Sequence, residues 1–164
     1  MSKTLFVHWR DDGFWAFDAV SAVFLKHLID AATSYLEHHD EPWLAGAVSQ
    51  WRFNAVCGDL GLFLDESWSN EQIAIFTGLA REACGVLSKR EKIPAEEIQS
   101  WKMIDGDDGR CFARGLPFLT TASAIRLGEA LIKLVNGTLP QPPPGTWWFF
   151  ATEESGATLR KRGD

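Results

Sequence analysis

The first eighteen residues constrain the fold most, because they combine the alternation of a strand with a strong turn signal. Apolar and polar residues alternate over residues 4–10, which predicts a strand. Asp12-Gly13 is a favoured hairpin dipeptide, since both central positions of a type I′ turn have positive φ. Residues 14–17 can return as the second strand, and Asp18 can then cap a helix. The sequence therefore predicts an N-terminal hairpin whose acidic residues fall at the tip.

Four longer stretches have the apolar spacing of amphipathic helices. They cover residues 18–39, the segments that follow Pro42 and Ser69, and residues 122–135. Pro42 suits the first turn of a helix, where its missing N–H costs least. Ser69 and Gln72 have the spacing of a capping box. A shorter helix is expected from Pro94 to near residue 101, and Gly58 is expected just after the second long helix.

Two further hairpins are predicted along the chain. Residues 102–104 and 110–114 flank the turn sequence DGDDG, and residues 146–152 can pair with residues 157–161. The run TWWFFAT is bulky on both faces, so this strand is expected to be covered on both sides or to lie partly in an interface.

These elements together predict the fold class. With 164 residues and no linker that splits the chain, we expect a single α+β domain over residues 1–164. About four main helices would pack on a small antiparallel sheet built from N-terminal, central and C-terminal hairpins. Residues 1–3 and 162–164 are expected to be frayed.

The charge balance bears on the partners. The chain has 22 acidic and 16 basic residues and a formal net charge of −6. Nucleic-acid binding is not expected, because phosphate neutralisation by basic residues supplies most of the non-specific affinity. The acidity suits a soluble protein or one with a basic partner. The 8 tryptophans fit either a core or an interaction surface, and the core is the favoured interpretation.

Targeting and membrane signals are missing from the sequence. No apolar stretch is long enough to span a bilayer, and the N-terminal apolar run is too short for a signal peptide. Cys57, Cys84 and Cys111 are odd in number and form no C-x-x-C pair. We therefore expect a cytoplasmic protein with free thiols and no membrane association.

No motif points to catalysis, a metal or a cofactor. The sequence contains no phosphate-binding glycine motif and no nucleophile elbow. The adjacent His38 and His39 diverge on a helix, so they are not expected to share a metal. The acidic loop 105–109 fails the EF-hand pattern, because Leu116 stands where the bidentate glutamate belongs. We predict no catalytic residue, no metal and no cofactor.

The stretches RDDGFWAFD and DGDDGRCF join acidic turns to aromatic residues. In these stretches, and in its size and acidity, the chain resembles bacterial toxin-immunity proteins of the contact-dependent inhibition or polymorphic-toxin type. The resemblance implies a non-enzymatic protein that binds a toxin domain tightly and stoichiometrically. Such a domain is often a basic nuclease, and the acidic residues would stand in for substrate phosphates. The candidate partner-binding residues are Asp11, Asp12 and Trp15, with Asp105, Asp107 and Asp108 as a second acidic patch.

Two other classes of function stay open at this point. One is a small cytoplasmic enzyme, such as a hydrolase that uses His8 and nearby carboxylates. The other is a homo-oligomeric structural protein that buries the strand at residues 147–150 between copies.

Overall fold

The structure is a computed structural model that describes residues 4–57, 61–106, 108–150 and 156–163. The N-terminal strands β1 and β2 precede three long helices, and a fourth long helix and several short elements follow. The strands are β1 (Thr4–Trp9), β2 (Asp12–Phe17), β3 (Lys92–Pro94), β4 (Phe118–Thr120), β5 (Thr146–Trp148) and β6 (Thr158–Arg160). The helices are α1 (Asp18–Leu36), α2 (Pro42–Val56), α3 (Asn70–Leu87), α4 (Ala95–Ser100) and α5 (Thr121–Val135). The strands form three antiparallel two-stranded sheets, and the α+β prediction is confirmed.

The helices that the sequence predicts are all present. Pro42 lies in the first turn of α2. Ser69 and Gln72 form the capping box of α3, with Gln72 N–H donating to Ser69 Oγ at 3.2 Å. Gly58 and residues 1–3 lie outside the described residues, as do residues 151–155 and 164.

The N-terminal hairpin is confirmed, but the predicted turn at Asp12-Gly13 is wrong by two residues. Trp9 pairs with Asp12, so Arg10 and Asp11 form the loop, and Arg10 has the positive φ of 53°. A loop at residues 12–13 would keep the strand alternation but would place Asp11 on the buried face. The observed register instead pairs the fully buried Val7 and Phe14, which leaves Asp11 in water.

Gly13 is needed for close packing inside β2 and not for the turn. A Cβ atom at this position would lie 2.4 Å from the carbonyl oxygen of Val7 and 2.7 Å from the ring of Phe6. Only glycine therefore allows the Phe6 ring to lie this close to the backbone of residue 13.

The predicted helix cap at Asp18 is also wrong. The cap position of α1 is Phe17, and Asp18 is the first helical residue. Its carboxylate forms a buried ion pair with Arg114, which lies far along the chain. A long-range charge partner has thus replaced the local capping bond.

The central hairpin predicted from residues 102–104 and 110–114 does not form a ladder. Lys102 and Arg110 make only an isolated bridge, and no longer ladder joins the described residues around them. Instead β3 pairs with β4, in the register Ile93 with Leu119. Both of these side chains are buried, so core packing has selected a pairing that brings together distant parts of the chain.

The C-terminal hairpin of β5 and β6 is confirmed and lies beside the N-terminal one. The backbone of Phe149 forms an isolated parallel β-bridge with that of Trp15. The N–H group of Phe150 donates a hydrogen bond to the carbonyl oxygen of Trp15 at 2.8 Å. Trp147 contacts Phe6 edge to face, whereas Phe150 contacts the buried Phe14. Rings of the same chain therefore cover part of each face of the bulky strand, and residues 146–150 stay half-buried.

Helix α1 lies at the centre of the core and packs against α2, α3 and α5. A second aromatic cluster surrounds Trp68, which is 5% exposed. Rings of five other residues lie around it: Trp9, Trp43, Trp51, Phe63 and Phe76. This cluster includes Trp9, the last residue of β1, and so packs against the base of the hairpin tip. None of the described helices is both long enough and apolar enough to cross a membrane.

Candidate functional site

The tip of the N-terminal hairpin forms one wall of an open cleft of about 550 Å³. The opposite walls come from the start of α3 and the end of α5. Its lining includes six residues from these elements and from the segment after α5: Asp11, Asp12, Asn70, Ile73, Asn136 and Gln141. The cleft thus brings together two of the predicted partner-binding residues and four residues from distant elements.

Glu66 fixes the position of the hairpin tip. Its Oε1 atom accepts a hydrogen bond from Arg10 N–H at 2.9 Å. The same oxygen lies 3.0 Å from Nδ1 of His8. Because the Glu66 carboxylate contacts both His8 in β1 and Arg10 in the loop, the tip has a defined position relative to the segment before α3. His8 and Arg10 therefore have a structural partner in Glu66.

The two aspartates present their carboxylates differently. Asp11 is exposed, whereas Asp12 is half-buried and accepts a hydrogen bond from Gly13 N–H at 2.8 Å. That bond uses Oδ1 of Asp12 and leaves Oδ2 outside it. The adjacent carboxylates therefore offer several acceptor oxygens at the rim of the cleft.

The far wall is held in place by the end of α5. Asn136 Nδ2 donates to Thr77 Oγ1 at 3.0 Å and to the carbonyl oxygen of Ile132 at 2.8 Å. The bond to Thr77 ties α5 to α3. Both donors of the Asn136 amide are used on neighbouring protein groups, so the distance between the two helices that form the wall is fixed.

The floor of the cleft is apolar. Trp9, Ile73 and Val135 line it and are almost fully buried. An aliphatic stem lying against this floor would bury apolar surface, while a polar head could reach the carboxylates at the rim. This combination matches a lysine or arginine side chain.

The charges around the cleft also favour a cation. The charged residues of the lining are two aspartates and one arginine, Arg10, whose Cζ atom lies 5.2 Å from the ring centre of Trp9. The C-terminal end of α5, which carries partial negative charge, also borders the cleft, and Lys133 in its last turn offsets part of that charge. The N-terminal end of α3 acts in the opposite sense, but Glu71 lies in its first turn. On balance the cleft suits a positively charged group.

The other predicted site residues lie elsewhere. Trp15 is half-buried on the outer face of β2. Its ring packs edge to face against that of Phe6, with 5.2 Å between the ring centres. Asp105 and Asp108 are exposed on a separate loop, and neither is among the residues that line the cleft. Met103 N–H donates to the carbonyl oxygen of Gly109 at 2.7 Å and closes that loop. Asp107 lies outside the described residues.

Sequence reasoning did not identify Glu66, Asn70, Asn136 or Gln141 as site residues. Glu66 and Asn136 act through partners 56 and 59 positions away, so no local spacing signals them. Gln141 belongs to the proline-rich stretch PQPPPG at residues 140–145, which carries no charged residue. Among the described residues that line the cleft, the acidic hairpin tip is the part that the sequence indicates as a binding site.

The described cysteines and histidines are dispersed. Burial raises the pKa of Cys84 to about 11 and that of Cys111 to about 12, so both thiols stay protonated at neutral pH. Cys57 is exposed at the end of α2. Over the described ranges no group of three or more His, Cys, Asp or Glu side chains is arranged to hold a metal ion.

Comparisons with protein-family models, with curated proteins and with solved structures find no match to this chain.

Proposed function

We propose that this chain is a non-enzymatic binding protein that takes a basic side chain of a protein partner into the hairpin-tip cleft. The single observation that carries the proposal is the position of Asp11 and Asp12 at the rim of an apolar-floored cleft. Lysine and arginine have the matching form, an aliphatic stem with a cationic head.

The kind of partner follows from the resemblance to toxin-immunity proteins. We propose that it is a basic toxin domain, neutralised by direct binding in the cytoplasm of the cell that makes this chain. The net charge of −6 supports such a pairing, because opposite charges accelerate the encounter of two proteins. Asp105 and Asp108 belong to the proposal as a second exposed acidic patch, and Trp15 as a half-buried aromatic contact.

Native mass spectrometry of the tagged chain, purified from the cells that encode it, tests this function. We expect a one-to-one complex with a basic protein. The variant Asp11→Lys with Asp12→Lys reverses the charge of the rim and should lose the complex. The fold should survive, since Asp11 is exposed and Asp12 lies at the end of its strand.

A matched variant separates a local effect from one of total charge. Glu37 and Asp40 are both exposed in the segment after α1, and replacing both by lysine changes the net charge by the same amount. This control should keep the partner. If the two double variants retain the partner equally, or if the chain is recovered alone, the proposal is wrong.

A further inference from the structure

The segment from Phe112 to Phe118 exposes an unusual amount of apolar surface. Six large hydrophobic side chains are more than a third exposed in the described part of the chain. Three of the six come from this short segment, namely Phe112 at 46%, Leu116 at 43% and Phe118 at 40%. Exposed apolar residues that occur singly need no explanation, but a concentration of them marks a binding site.

Leu116 and Phe118 form the mouth of a second pocket, which we call the Arg114 pocket. It lies where α1 and α5 both begin and has a volume of about 310 Å³. Phe17 and Val20 line its apolar interior. The volume lies within the range of ligand-binding pockets, which are apolar with a few polar groups.

The polar groups of the Arg114 pocket form two pairs and leave one buried acceptor, Asp18 Oδ1, without a hydrogen-bond partner. Arg114 Nε and Nη2 donate to Asp18 Oδ2 at 3.0 and 2.7 Å, and Nη1 stays outside this ion pair. Thr120 Oγ1 and Ser123 Oγ lie 2.6 Å apart. The pocket therefore offers hydroxyl groups, the Oδ1 atom of Asp18 and the Nη1 group of Arg114 beside an apolar surface.

The ion pair decides which charge a ligand can carry. The Asp18 side chain is 5% exposed and that of Arg114 is 23% exposed, so the two charges neutralise each other in a largely dry environment. An anionic ligand would compete with Asp18 for the guanidinium, and a cationic ligand would be repelled by it. Neither ion would find a free opposite charge to compensate for the loss of its hydration. A neutral ligand avoids both costs.

We propose that the Arg114 pocket binds a neutral amphipathic small molecule that has an apolar body and a hydroxyl group. The apolar body lies against Val20, Leu116 and Phe118. The hydroxyl group exchanges hydrogen bonds with the Thr120–Ser123 pair and accepts one from Arg114 Nη1. This site is separate from the hairpin-tip cleft, which lies at the opposite end of α5.

Titration of the full chain with 4-propylphenol, followed by amide NMR shifts, tests the proposal. We expect saturable shifts at Val20, Leu119 and Ser123, with a Kd of about 1 mM or tighter. Propylbenzene, which lacks the hydroxyl group, and the anion 4-propylbenzoate should each bind about tenfold more weakly. Tighter binding of the anion would overturn the assignment of a neutral ligand.

A pair of variants links binding to this pocket. Leu116→Ala with Phe118→Ala removes two exposed side chains, so the fold should be kept, and the affinity for 4-propylphenol should fall about tenfold. Leu159→Ala is the control, because Leu159 is 38% exposed on β6, away from the pocket. The proposal is overturned if the probe shows no saturable binding, or if both variants bind it as the wild type does.

Discussion

Arg114 places two of its guanidinium nitrogens on a single carboxylate oxygen of Asp18, 96 positions away in the chain. This ion pair joins the start of α1 to the segment that precedes β4. Arg114 adopts a φ of 53°, a backbone conformation that is uncommon for non-glycine residues. We attribute this conformation to the ion pair with Asp18, which stabilises it.

The first prediction concerns the energy of this pair. Arg114→Gln leaves the Asp18 carboxylate buried without its partner, and we expect the free energy of unfolding to fall by about 3 kcal/mol. Asp18→Asn together with Arg114→Gln removes both charges and should recover part of this loss. Urea unfolding of Asp18→Asn, of Arg114→Gln and of the double variant gives the coupling free energy between the two side chains, which we expect to be about 1–3 kcal/mol. Strict additivity of the single effects would show that the pair contributes nothing.

The second prediction concerns the contact of α5 with α1 and α3 at Gly128. A Cβ atom there would lie 2.5 Å from the ring of Phe24 and 2.6 Å from Sγ of Cys84. Gly128→Ala should therefore destabilise the fold by about 1–3 kcal/mol.

Gly78, in the middle of α3, has open space at its Cβ position. Gly78→Ala should instead stabilise by about 0.5–1 kcal/mol. Thermal unfolding compares the two, and equal shifts would contradict the packing described at Gly128.

The third prediction concerns thiol reactivity. Cys57 is exposed, whereas burial raises the pKa of both Cys84 and Cys111. A chromogenic disulfide reagent at neutral pH should modify Cys57 rapidly in the folded protein and the other two only after denaturation. Cys57→Ser should abolish the fast phase. A fast phase that survives in this variant would mean that one of the buried thiols is accessible.

The fourth prediction concerns pH. Burial lowers the pKa of His27 below its ordinary value of 6.5, and the Lys26 and Arg90 charges act in the same direction. The unfolded chain therefore binds a proton at His27 more readily than the folded protein does. Stability from this residue is complete above pH 6.5 and declines as the pH falls towards the lowered pKa.

Urea unfolding at about pH 7.5 and about pH 5.5 measures this effect. His27→Gln should show a smaller loss of stability between the two pH values than the wild type does. His38→Gln is the control, because His38 is exposed in the turn after α1. An unchanged pH dependence in His27→Gln would show that His27 titrates alike in the folded and unfolded states.

Local signals in the sequence predicted the long elements well. The capping box of Ser69 and Gln72, Pro42 in the first turn of α2 and the apolar stripe of α5 all act within a few residues, and the structure confirms each. The tertiary pairings are a different matter. Ile93 and Leu119 meet because both are buried, and neither short strand has an alternation long enough to signal it.

The candidate site divides in the same way. Asp11 and Asp12 were predicted because an acidic turn between two strands is visible in the sequence. Glu66 and Asn136 were not predicted, because their roles depend on where α3 begins and α5 ends relative to the hairpin. The turn itself was misplaced, since the pairing of Val7 with Phe14 outweighs the local preference of Asp12-Gly13.

The central claim is that the hairpin-tip cleft receives a basic group of a protein partner. The most direct test is the association rate with the isolated partner at low and at physiological salt, measured for the wild type and for Asp11→Lys with Asp12→Lys. We predict that the variant associates about tenfold or more slowly at low salt, and that this difference shrinks as salt screens the charges. Glu37→Lys with Asp40→Lys should have a much smaller effect. An association rate at low salt that is the same for the wild type and the rim variant would contradict the account.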